Sequence, residues 1–199
     1  MRWTGGSSPK LEPVDTSKFA SLVQCMRPMS RYVRESMLGS RPPAEQVTAQ
    51  QLLDAPKLAT VLTDWLQQIA SCKRDPSEPV ILAAHNGFSV DWLITYWCMV
   101  KAGVQPYEML KSAGVVAVLD TQVLAKNLPD SVNLPTTAVR RQRQYNNKAL
   151  LTALTGRPDT DFLWHKAVDD AVATSAWLPA KEMIALLTHP KFVEMNALI

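Results

Sequence analysis

Two short apolar runs constrain this chain more than any other feature. Pro79-Val80-Ile81-Leu82-Ala83-Ala84 and Val115-Val116-Ala117-Val118-Leu119 are unbroken, without the polar alternation of a half-exposed strand. Runs of that length and composition predict strands buried on both faces, as parallel sheets require. Each run ends in a polar turn, His85-Asn86-Gly87 or Asp120-Thr121, and leads into a helical stretch, at 90–100 and at 122–126. Parallel strands need long crossovers, so this alternation of strand and helix predicts an α/β domain.

The flanking sequence fits that class. Leu58, Val61, Leu62, Trp65, Leu66 and Ile69 recur at three- and four-residue spacings, which predicts a helix over 56–70 with one buried face. Further helices are expected at 147–154, closed by Gly156, at 166–177 and at 179–187. Upstream, a strand is expected at 19–23, a short helix at 30–38, and a turn capped by Thr48. The breakers Gly5-Gly6-Ser7-Ser8-Pro9 and Pro13 leave no room for an element before residue 19. The chain therefore divides into an irregular N-terminal segment (1–18), a domain (19–188) and a helical C-terminal tail (189–199).

Composition narrows the function classes without choosing one. Of 199 residues 47% are hydrophobic and 20% charged, which excludes a wholly disordered chain. A net charge of +3 is too small to argue for nucleic-acid binding on its own. No stretch approaches the ~20 apolar residues of a membrane span, and Met1-Arg2-Trp3-Thr4-Gly5-Gly6 lacks a signal-peptide core. Cys25, Cys72 and Cys98 are far apart and odd in number, which argues against a disulfide frame or a zinc site. The expectation is a protein of the cytoplasm or nucleus, with no membrane partner.

Chemistry concentrates in three places. Asp91 begins the helix after the first apolar run, at the carboxyl end of a strand where α/β sheets bind ligands. His165-Lys166-Ala167-Val168-Asp169-Asp170-Ala171 sets a histidine just before a helix and an aspartate one turn inside it, so base and acid can converge. Arg140-Arg141-Gln142-Arg143-Gln144-Tyr145 offers cations for phosphates and an aromatic ring for a base. Trp92, Tyr96, Trp97 and Trp164 are read as core.

Taken together, Ala84-His85-Asn86-Gly87 with Asp91, a second strand ending in Asp120-Thr121, and His165 with Asp170 occur in an order that resembles the DEDDh-type 3′→5′ exonucleases. These have an RNase H-like fold and include proofreading epsilon subunits. The likeness spans 19–187, with Phe19 to Val23 and Pro28-Met29-Ser30 similar to the family's third strand and the segment after it. It implies a mixed sheet flanked by helices and cleavage of terminal phosphodiesters on single-stranded DNA or RNA ends, with two Mg²⁺ or Mn²⁺ ions. By the same resemblance Asp170 and Asp91 are metal ligands and His165 the base that deprotonates the attacking water. His85, Asn86, Arg140, Arg141, Arg143 and Tyr145 would face substrate.

One family motif has no counterpart here. The DxE at the end of the first strand, whose acids are shared by both ions, is not found: Glu12 and Asp15 stand in the wrong order, and Ser17 occupies the position two after Asp15. The expectation is a fold lacking its first one or two strands, with an unpaired edge beside Val80. Catalysis would then need acids from another segment, a second copy or a partner chain. The alternative is a non-catalytic exonuclease-like module that binds nucleic acid or protein.

Overall fold

The structure, a computed structural model, describes residues 2–4, 10–12, 48–137, 142–162 and 167–187. Near the start, β1 (Arg2–Thr4) and β2 (Lys10–Glu12) pair antiparallel, with Trp3 opposite Leu11. The first 18 residues are thus not wholly irregular. Strands of three residues are too short to display any periodicity, which is why the sequence hides them. The strand expected at 19–23, the helix at 30–38, the Pro28-Met29-Ser30 segment, Trp164 and the tail at 189–199 all lie outside the described residues.

From Thr48 onward the order is helix-rich. α1 (Ala49–Leu53) opens on a capping box in which the Thr48 hydroxyl accepts from the Gln51 N–H and the Gln51 side chain accepts from the Thr48 N–H. α2 (Leu58–Ser71) turns Val61 and Leu62 inward, on the face expected from their spacing. β3 (Val80–Ala84) follows, then α3 (Asp91–Lys101), α4 (Pro106–Ser112) and β4 (Val115–Asp120). α4 is a helix that sequence periodicity does not announce, although Pro106 at its first turn suits a helix start. β4 passes without a break into α5 (Thr121–Ala125). After a loop come α6 (Asn147–Thr155), a 3₁₀ turn (Asp159–Asp161), α7 (Ala167–Trp177) and α8 (Lys181–Leu187).

β3 and β4 form a two-stranded parallel sheet, in register from Ile81 opposite Ala117 to Ala84 opposite Asp120, with an irregularity at Val80. The class is α/β, as the alternation predicts. The strands are not buried on both faces, however. Ile81 and Ala83 of β3 and Val116 of β4 are exposed, and burial grows along β4 until Leu119 and Asp120 are covered. An uninterrupted apolar run reports the residue types a strand carries but not how many neighbours cover it. β3 has β4 as its only strand neighbour among the described residues.

The core lies beyond the carboxyl end of this sheet. Leu119, Leu124, Leu128, Leu150, Leu151, Trp177 and Met183 pack from β4, α5, the loop after it, α6, α7 and α8. Burying each such side chain contributes roughly 1.5–3 kcal/mol. α3 stands apart from that core. Only its Met99 is buried, while Tyr96 and Trp97, read from sequence as core, are more than half exposed. The helix is apolar almost all round, so its sequence could not say which face would be covered.

Candidate functional site

The two strands end side by side, and Asp120 ties their ends together. Its buried carboxylate accepts four main-chain N–H groups. Oδ1 takes those of Gln122 (2.9 Å), Asn86 (3.1 Å) and Val123 (3.3 Å), and Oδ2 takes that of Phe88 (3.1 Å). Two of these donors are orphan N–H groups of α5, for which Asp120 is the N-cap, where a negative charge also meets the helix dipole. The other two belong to the turn after β3. One side chain therefore starts a helix on its own strand and shapes the turn on its neighbour.

That turn is tight. Asn86 takes the left-handed conformation, φ +59°, which asparagine tolerates better than most residues. At Gly87 a Cβ would fall 2.5 Å from Trp92 Nε1 and 2.9 Å from the Ala84 Cβ, so only glycine lets the indole lie against the turn. The Gly87 carbonyl accepts from the Trp92 N–H at 2.9 Å, which seats the first turn of α3 and with it Asp91.

His85 is the centre of the arrangement. Its Nδ1 lies 3.2 Å from Thr121 Oγ1, and its ring meets that of Trp177 edge-on at 5.9 Å between centroids. Nε2 is buried without a hydrogen bond among the described residues. Burial lowers its pKa below the usual histidine value, while the Asp120 carboxylate, the Tyr145 carbonyl and the carboxylates of Asp170 and Asp91 favour the charged ring. Burial prevails, and the neutral ring is the favoured form of His85.

Asp91, in the first turn of α3, is exposed, and Asp170, in the first turn of α7, is half-buried. The sequence assigned His85 and Asn86 to substrate. The His85 ring packs edge-on against Trp177, and the Asn86 main-chain N–H bonds Asp120. Arg143 is engaged by its own chain: its guanidinium donates to the carbonyls of Leu128 (2.9 Å), Pro129 (3.2 Å) and Val132 (2.7 Å), and lies over the Tyr145 ring. His165, Arg140 and Arg141 lie outside the described residues.

Carboxylate oxygens are hard donors, and Mg²⁺ is commonly held by one or two carboxylates with water completing the shell. Asp91 and Asp170 are of the right chemistry for such an ion. Among the described residues no group of three or more His, Cys, Asp or Glu side chains is arranged to hold a metal. Sequence reasoning treated Asp120 only as a strand end, although an aspartate between an apolar run and a helix is a recognisable N-cap.

Compared with protein-family models, curated proteins and solved structures, the chain finds no match.

Proposed function

We propose that this chain carries part of the active site of a metal-dependent 3′→5′ exonuclease of the DEDDh type, on an RNase H-like frame, acting on single-stranded ends of DNA or RNA. What supports the reading is the placement of Asp91 in the first turn of α3, directly after the turn that closes β3, and of Asp170 in the first turn of α7, the helix whose Trp177 packs on His85 of that same turn. Ligand sites in α/β sheets form at such strand ends.

In this reading Asp91 and Asp170 hold Mg²⁺ or Mn²⁺. A bound divalent ion supplies Lewis-acid polarisation of the scissile phosphate and lowers the pKa of water. His165 takes the proton from the attacking water, a task that suits a group whose reference pKa is ~6.5. Asp120 and the glycine turn hold α3 in place, and Arg140, Arg141 and Tyr145 contact the strand being shortened. Two acids are too few to grip two ions, so full activity needs further carboxylates from another segment or chain.

A second reading, a non-catalytic module that binds nucleic acid or protein, is favoured by the sequence, in which no DxE follows an apolar first strand. One assay separates them. The 199-residue chain is incubated with end-labelled single-stranded DNA and RNA, with Mn²⁺ or with EDTA, beside Asp170→Ala. Mn²⁺-dependent shortening that Asp170→Ala abolishes supports the enzyme. Folded protein that binds strands without shortening them, in both forms alike, supports the module.

A further inference from the structure

The side chain of Asn147, at the start of α6, makes contacts that neither the fold nor the proposed chemistry has accounted for. Its Nδ2 donates to the main-chain carbonyl of Asp170 at 3.0 Å and to Thr174 Oγ1 at 3.0 Å. Its Oδ1 accepts from the indole N–H of Trp177 at 2.6 Å. The orientation of the amide is dictated by chemistry. An indole nitrogen only donates and a main-chain carbonyl only accepts, so the oxygen must face Trp177 and the nitrogen Asp170. The Thr174 hydroxyl also donates to the Asp170 carbonyl, at 2.9 Å.

These contacts join two parts of the candidate site. Through its nitrogen Asn147 holds the first turn of α7, which bears Asp170. Through its oxygen it holds fully buried Trp177, whose ring packs against His85. A leucine of similar volume would fill the space between the helices, yet it would hold neither group. We infer that Asn147 is a positioning residue, which sets the Asp170 carboxylate relative to His85 by gripping the Asp170 carbonyl on one side and Trp177 on the other. The task assigned to Asp170 rests on the exonuclease reading, but the placement does not.

The test uses the whole chain and needs neither metal nor substrate. The His85 ring nitrogens are followed by NMR at pH 7 and on acidification, with and without Asp170→Asn, in three backgrounds: wild type, Asn147→Leu and Thr174→Val. Removing the Asp170 charge is expected to shift the His85 signals in wild type. In Asn147→Leu that response falls to less than about half, the mark of coupled sites in such a cycle. Thr174→Val, which removes one hydroxyl from the same network, keeps it, and so separates positioning from a general loss of stability. Should Asn147→Leu fold poorly, Asn147→Ser, which is too short to reach either partner, replaces it. An undiminished response in the Asn147 variants overturns the inference, as does an equal loss in Thr174→Val, or a wild-type His85 that ignores Asp170→Asn. Failure of the exonuclease reading would show elsewhere, as absent Mn²⁺-dependent shortening, and would leave the NMR result standing.

Discussion

A buried carboxylate with four main-chain N–H groups converging on it has little freedom to be anything else. Hydrogen bonds to a charged acceptor contribute about 1.5–3 kcal/mol each, and a buried N–H deprived of its acceptor costs about 1–3 kcal/mol. Asp120→Asn keeps the shape but turns an NH₂ toward one of the donors. It should lower unfolding stability by about 2–3 kcal/mol in urea titration, and Asp120→Ala by more. A second prediction concerns His85. Its folded pKa lies below the unfolded value of ~6.5, so below that pH the unfolded chain binds a proton that the native chain refuses. The stability from a neutral His85 is thus complete above ~6.5 and is lost as pH falls from there through the folded pKa. Melting temperatures between pH 5 and 8 should fall on acidification more steeply for wild type than for His85→Gln. Equal slopes would mean that His85 titrates alike in both states. The sequence marked Asp91, Asp170 and the His85 turn as candidates, because each stands at a boundary between periodic segments. Asp120's two contacts with the turn after β3 and Asn147's bracket were illegible, since they join residues 23 to 34 positions apart.

At the scale of elements, the loop between α5 and α6 is held by one side chain. Arg143 donates to three carbonyls of the 128–132 segment and has Asp130 within 3.5 Å. A guanidinium presents five N–H groups in a rigid fork, so it can satisfy several carbonyls that no strand or helix supplies. Arg143→Ala should therefore cost about 2 kcal/mol of stability, seen by chemical denaturation, whereas Arg143→Lys recovers only part of it. A drop in nucleic-acid affinity with stability unchanged would instead restore Arg143 to the phosphate contacts expected from sequence. Helices with a strong apolar stripe or a clear cap, such as α2 and α6, were legible to within two residues. α4 and the β1–β2 pair were not, because seven residues or three leave too few turns or alternations to read.

Across the whole molecule, the buried core and the apolar surface occupy different places. The core gathers around α6, α7 and α8, while Leu93, Ile94, Trp97 and Val100 of α3 are exposed. With Leu58 of α2, residues of that face line a shallow groove of about 490 Å³. A side chain already in water loses little when it is replaced, since surface changes away from special features stay within about 0.5 kcal/mol. Trp97→Ser and Ile94→Ser should leave the melting temperature almost unchanged. Met99→Ser, on the buried side of the same helix, puts a hydroxyl and a cavity where a fully buried methionine packs, and should cost about 2–5 kcal/mol. The contrast is read from three variants of one helix by thermal and urea unfolding, so expression or solubility cannot mimic it. If Trp97→Ser destabilises as much as Met99→Ser, the outer face of α3 is covered in solution.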